Sequence, residues 1–230
     1  MPVIAIDGPA ASGKGTLARR IAERLGFAWL DTGLLYRAAG MIALDLGADP
    51  GDERAAAQAA AALAVRIAAE GPGLLQDPRL RGDEAAAAAS KLSAVGAARA
   101  ALLDFQRAFA RNPLNGAEGA VLDGRDIGTV VCPDAEVKLF VTAAVEERAR
   151  RRVKELQARG QAAIYGPVLE DLKQRDARDS QRAVAPLKQA ADAFLLDTSA
   201  LDADQALAAA LAMIDSVLSR TAPSRAGRQT

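Results

Sequence analysis

Residues 3–16, Val3-Ile4-Ala5-Ile6-Asp7-Gly8-Pro9-Ala10-Ala11-Ser12-Gly13-Lys14-Gly15-Thr16, decide the fold. Val3 to Ile6 is short, apolar and rich in β-branched residues, and reads as a buried strand. Behind the glycines, Leu17, Ile21 and Leu25 recur at helical spacing, with Arg19, Arg20, Glu23 and Arg24 on the other face. Strand, glycine loop and helix are the context a phosphate-binding loop requires. Gly8 and Gly13 permit backbone angles that turn successive N–H groups inward, and the helix N-terminus adds partial positive charge. Lys14 then supplies a mobile full charge for the β- and γ-phosphates of a nucleotide. Gly8 through Thr16 are therefore the candidate nucleotide contacts. Gly15 follows the lysine, so the expected hydroxyl is displaced to Thr16, the candidate Mg²⁺ ligand, either directly or through water. The competing reading is a glycine-rich strand-to-helix turn without a ligand.

Working outward, the 230 residues suffice for one α/β core with room for a small insertion. Half are hydrophobic but only 3% are aromatic, so the core must be built from Leu, Ile, Val and Ala. Lys+Arg and Asp+Glu balance at 29 each, which gives no global field for nucleic acid or an acidic membrane. A lone Cys132 offers no disulfide framework and no thiol metal site. It lies before Pro133 in an apolar strand-edge region and reads as a packing residue. The chain has no histidine, which removes imidazole acid–base catalysis and ligation. Met1 directly precedes the first strand and no apolar run reaches membrane-spanning length, so a cytoplasmic protein without a membrane partner is expected.

Further strands are expected at Phe27–Leu30, Ala120–Asp123, Val137–Val141 and Ala193–Asp197, with helices between them. Asp31 or Thr32 suits a helix N-cap. Glu53 to Ala62 reads as helix, whereas Leu63, Val65 and Ile67 alternate and leave a short strand open. Residues 63–84, broken by Gly71-Pro72-Gly73 and Asp77-Pro78, read as a small irregular insertion. The last helix begins at Asp202, and 220–230 reads as a disordered tail. Five strands alternating with helices predict a parallel sheet with helices on both faces. Ligands of such sheets sit at the strands' carboxyl ends, here Asp7-Gly8, Asp31-Thr32-Gly33, Asp123 to Asp126 and Asp197-Thr198.

Two arginine groups stand out. Arg175, Asp179 and Arg182, at i, i+4 and i+7, share one helix face, which suits either an ion-pair lattice or a polar ligand. Arg148 and Arg152 also stand at i, i+4, and are either exposed or close to phosphate. A phosphate loop beside arginine clusters suggests a small-molecule kinase, since donor and acceptor anions need neutralising.

Taken together, Gly8-Pro-x-x-Ser-Gly-Lys-Gly-Thr16, Leu30-Asp-Thr-Gly33 with Tyr36-Arg37, Asp123-Gly-Arg-Asp-Ile-Gly-Thr-Val130-Val131, and Arg175-Asp-x-Arg-Asp-x-x-Arg-Ala-Val-Ala-Pro186 resemble bacterial-type cytidylate kinase. The resemblance runs in order from residue 3 to about 218. It implies transfer of the ATP γ-phosphoryl to CMP or dCMP, with Mg²⁺, on a nucleoside-monophosphate-kinase fold. The domain would span 1–218, with an acceptor-binding insert at 38–98 and a lid at 155–168. By position, the cytosine contacts would be Ser90, Arg99, Asp126 and Arg182. Arg175 and Asp179 would hold the sugar, and Arg37 and Arg125 the acceptor phosphate. Arg148 and Arg152 resemble lid-base arginines near the adenine and the transferring phosphate. Lys14, Arg125 and Arg152 are the candidate catalytic residues. Asp126 has a bland alternative, a cap on the turn after Gly124. Between Leu63 and Ser90 the sequence departs from the family pattern, losing the alternating strands of its insert. A monomer is expected. The rivals are a kinase of the same fold for UMP, AMP or shikimate, and a nucleotide-dependent switch.

Overall fold

The computed structural model describes residues 1–113 and 116–221. Five strands form one parallel sheet: β1 (Val3–Asp7), β2 (Ala28–Asp31), β3 (Ala120–Gly124), β4 (Val137–Thr142) and β5 (Phe194–Asp197), in the order β2-β3-β1-β4-β5. Alternation along β1 divides the core. Ile4 and Ile6 point into a layer with Leu17, Ile21 and Ile214, while Ala5 faces Leu35, Leu63 and Leu102 on the other side. Helices α1 (Lys14–Leu25) and α8 (Ala203–Thr221) cover the first face. Helices α2 (Thr32–Asp45), α3 (Glu53–Glu70), α4 (Asp83–Leu92) and α5 (Gly96–Arg111) build the second. Between β4 and β5 run α6 (Val145–Ala158) and α7 (Tyr165–Gln181). The expected doubly covered parallel sheet is present. Connections diverge around central β1, so the loop after it opens at the sheet's switch point.

The expected irregular stretch at 63–84 is mostly helical. Leu63 and Ile67 are buried one helical turn apart, while Val65 is 69% exposed, so the alternation belongs to a helix and not to a strand. Asp52 starts that helix by accepting from Ala55 N at 2.8 Å. Two 3₁₀ turns, at Pro72–Gln76 and Pro78–Arg81, then lead straight into α4. Among the described residues of 46–95 there is no strand. This segment packs through small side chains. A Cβ at Gly40 of α2 would lie 2.8 Å from the Cβ of Ala88 in α4.

Asp31 occupies the N-cap position of α2 without a capping bond from its side chain. Thr32 does different work: its hydroxyl donates to Asp123 O at 2.8 Å and ties α2 to the end of β3. The tail expected at 220–230 lies outside the described residues from 222 onward, and 220–221 end α8.

Cys132 follows a π-helical turn, Ile127–Val131, and is not on a strand edge. It is half-buried against the α5 side of the core, and burial pushes its thiol up to about 11. Cys132→Ser should keep turnover within a few-fold and lower the thermal midpoint slightly. Loss of turnover in a folded variant would reveal a thiol function.

Candidate active site

The loop between β1 and α1 is pressed onto the sheet. Gly8 has φ 156°, and a Cβ there would lie 2.0 Å from Val141 O, so no side chain fits. Gly13, at φ 86°, is the N-cap of α1 and turns the chain so that Lys14 opens the helix. Ala11 is also left-handed, at φ 58°, a strain that accompanies functional loops. Three loop carbonyls are held, two from outside the loop and one by its own lysine. Arg148 Nη1 donates to Ala10 O at 3.1 Å, Thr198 Oγ1 to Ser12 O at 3.3 Å, and Lys14 Nζ to Pro9 O at 3.5 Å. Ser12 Oγ is buried with no hydrogen-bond partner, the kind of orphan a ligand satisfies.

Carboxylates at the strand ends surround this loop. Asp7 accepts from Ile127 N and Gly128 N, both at 2.8 Å, and so anchors the π turn beside the loop. Burial raises its carboxyl to about 6. Asp123 accepts from Trp29 Nε1 at 2.9 Å, and burial together with Asp31 raises it to about 7. Lys14 is lowered to about 8 by burial and by Arg125, yet stays a cation at neutral pH. A Cβ on Gly15 would lie 4.0 Å from both Asp123 oxygens, so hydroxyl and carboxylate oxygens are at hand beside the loop. Magnesium carried on a nucleotide needs only one or two such protein oxygens beside phosphates and water, and these residues fit it.

The raised carboxyl has a measurable consequence. Asp123 ordinarily titrates near 3.8 but near 7 when folded, so between those values the native state holds the extra proton. Stability from this group is therefore present at low pH and falls as pH rises from about 4 to 7, at most about 1.4 kcal/mol per pH unit. Asp123→Asn should flatten that decline in denaturant titrations, leaving only the smaller share of Asp7, which has the same sign. Identical slopes for variant and parent would refute it.

The second constellation lies beyond the loop. Arg125 Nε donates to Asp179 Oδ2 at 2.7 Å and its Nη1 to Gly124 O at 3.2 Å. Asp126, at the N-cap of the π turn, makes no capping bond and pairs instead with Arg99, both almost fully buried. The Arg99 guanidinium stands 5.3 Å from the Tyr36 ring centroid. Arg99 and Arg182 both reach Ser93 O, at 3.4 and 3.5 Å, and Arg182 also donates to Ala185 O at 2.8 Å. Arg182 lies just past the end of α7, so the single helix face expected for 175, 179 and 182 is broken at its last member. Its side chain returns through that turn to Arg99. Arg175 Nε and Arg182 Nε are buried and unpartnered, and burial with the nearby Arg125 lowers Arg175 to about 10. Arg37 donates to Leu80 O at 3.0 Å, and Ser90 accepts from Arg178. Side chains from α2, α4, α5, β3 and α7 thus meet in one charged network, linked to the loop through Arg125 and Lys14.

The lid-base arginines divide. Arg148 is buried and spends its donors on Ala10 O, Ala143 O and Asp176. Arg152 pairs with Asp83 of α4 and with Glu155 at 3.0 Å. Arg152 also lines a cavity of about 410 Å³ with Gly13, Thr16, Val141 and Thr198, and so does Arg151, to which the sequence assigned no role. Arg151 Nη1 donates to Thr198 Oγ1 at 3.0 Å. Within the run Arg150-Arg151-Arg152 nothing in the sequence marks Arg151 as joining Arg152 at that cavity. Asp123 was noted as a strand end only; its pairing with Trp29 depends on β2 and β3 being neighbours.

Comparison with known proteins agrees with this architecture. The family model described as cytidylate kinase matches residues 4–216. A cytidylate kinase of Paramagnetospirillum magneticum is 62% identical over 93% of this chain and 98% of its own length. One from Rhodospirillum rubrum is 60% identical over 91% and 95%. Among solved structures, an uncharacterized protein of Eubacterium ventriosum shares the fold at 15% identity and TM-score 0.53, covering 94% of this chain and 99% of its own. With the family model matched over residues 4–216 and relatives similar along almost the whole chain, this chain belongs to the cytidylate kinase family.

Proposed function

We propose that this chain is a (d)CMP kinase, moving the γ-phosphoryl of ATP to CMP or dCMP and giving ADP with CDP or dCDP. The observation that carries the reading is the junction of two anion-binding sets, the loop with Lys14 and the arginine network, at Arg125. Gly8 to Thr16 hold the triphosphate, with Thr16 offered to Mg²⁺, which when bound neutralises charge on the β- and γ-phosphates. Arg37 and Arg125 hold the acceptor phosphate, Arg175 and Asp179 the sugar, and Ser90, Arg99, Asp126 and Arg182 the base. Arg148 secures the loop, and Arg152, on α6, lines the cavity beside Gly13 and Thr16, where it is available to the transferring phosphate. The acceptor oxygen is anionic near neutral pH, so no protein base need remove a proton, which agrees with a chain lacking histidine. The residues act by alignment and by offsetting repulsion between donor and acceptor.

We place the acceptor-binding insert at 38–98 and the lid at 155–168, within one domain of 1–218. The bond from Arg159 to Arg81 O at 3.2 Å joins the two, and the ion pair of Arg152, just before the lid, with Asp83 stands beside it. Closure of the lid excludes water that would otherwise hydrolyse ATP. The partners are CMP and dCMP, without nucleic acid or membrane, in a cytoplasmic monomer; among the described residues no helix is long and apolar enough to cross a membrane. A coupled ADP-release assay with CMP, dCMP, UMP, AMP, shikimate or no acceptor tests the reading. Fast release is expected with CMP and dCMP alone. Preference for another acceptor, or slow hydrolysis indifferent to CMP, would replace it.

A further inference from the structure

Helix α4 turns one face toward the lid-side helices. Asp83, Ala87 and Ser90 line one wall of a cleft of about 590 Å³, with Arg152, Arg175 and Arg178 on the other. Arg178 has no task in the transfer described above, yet its Nη1 donates to the buried Ser90 Oγ at 2.5 Å. Ser90 in turn adjoins the base-side arginines. Its carbonyl accepts from Ser93 Oγ at 3.2 Å, and Ser93 O accepts from both Arg99 and Arg182.

We infer that Arg178 is a positioning residue that sets the polarity of the Ser90 hydroxyl and thereby helps select cytosine over uracil. The inference rests on Ser90 contacting the acceptor base. A guanidinium only donates, whereas a hydroxyl has one proton and two lone pairs. Held by Arg178, Ser90 Oγ must accept along that line, and its own proton points elsewhere. An ambivalent hydroxyl becomes a donor to whatever fills the acceptor site. Cytosine presents the lone pair of N3 to such a donor, where uracil presents N3–H, which opposes it; O2 accepts in both bases and does not discriminate. Arg178 is exposed, so its replacement leaves the core untouched.

The test compares Ser90→Ala, Arg178→Ala, Arg178→Lys, Arg178→Glu and the Ser90→Ala/Arg178→Ala double variant. Each is checked for folding by circular dichroism, then assayed for kcat and KM with CMP and UMP at saturating ATP. Ser90→Ala should narrow the CMP-to-UMP ratio of kcat/KM about tenfold. Arg178→Ala should narrow it similarly through KM for CMP, with kcat within about twofold. Lysine, also a pure donor, should restore most of the ratio. Glutamate would accept the Ser90 proton and turn only lone pairs toward the base, narrowing the ratio beyond alanine. The double variant should be no worse than Ser90→Ala. If Ser90→Ala narrows the ratio and Arg178→Ala does not, the role of Arg178 is overturned while the base contact stands. An unchanged ratio in Ser90→Ala overturns the base contact and the inference with it. Equal losses on both acceptors in the alanine and glutamate variants, without rescue by lysine, would make the contact merely structural and overturn the inference.

Discussion

Lys14→Ala should lower kcat by about a thousandfold or more while the protein folds normally. Lys14 opens α1 and fills no place in the apolar core, and alanine is the better helix former. Removing the cation leaves Asp123 and Asp31 still facing Arg125, and Asp123, which already titrates near 7, can take up a proton instead of destabilising the fold. The loss therefore falls on the transferring phosphate, whose developing charge Lys14 would meet. Arginine should not rescue, because its planar fork demands a different approach from a compact ammonium. Rapid-quench measurement of the transfer step, with circular dichroism for folding, decides it. A folded variant with near-normal turnover would remove the phosphate-loop reading.

Asp126→Asn should collapse the preference for CMP over UMP, from about 10⁴-fold toward a small ratio. The carboxylate accepts from cytosine N4–H₂ but confronts the lone pairs of uracil O4, whereas an amide can offer either polarity. Asparagine is the informative substitution. Alanine would leave Arg99 buried and unpaired, at a cost of about 3–5 kcal/mol in stability that would obscure the specificity effect. The absence of a capping bond from Asp126 to the π turn removes the bland role that the sequence left open. Equal loss on both acceptors would show that the carboxylate only holds Arg99 in place.

The sheet was legible because each strand is a largely apolar run, three of them ending at an aspartate and a fourth one residue beyond it, and because the loop after β1 has glycines where the backbone permits nothing else. The segment after α2 was less so. Leu63, Val65 and Ile67 satisfy period two, Leu63 and Ile67 also satisfy a helical turn, and a background of alanine supplies no contrast to choose between them. Among the site residues, Asp126, Arg175, Asp179 and Arg182 could be marked from their motifs and Arg99 by its position in the resemblance, and the fold brings them together. Arg178 stands in the same motif without a role to mark it, and Arg151 stands in none. Which of several adjacent arginines meets a cavity depends on the rotation of α6 and α7 against the loop and α4, and that rotation is set by packing from distant parts of the chain.

The small side chains that join α2, α3 and α4 carry a consequence for motion. Ala56, Ala59 and Ala60 of α3, with Ala85, Ala86 and Ala88 of α4, are buried, yet each removes little more than a methyl group from water. The sheet layers instead hold Ile4, Ile6, Leu122 and Leu139, each fully buried. Four large buried side chains, Leu63, Ile67, Leu80 and Leu92, anchor the helices of 53–92 to the body, with alanines between them, so opening of this segment turns on those four contacts. Backbone amides of α3 and α4 are expected to exchange with deuterated solvent ahead of those in β1 and β3, and truncation of Leu63 or Leu92 to alanine should widen that gap, while the loop that lies against β4 at Gly8 exchanges late.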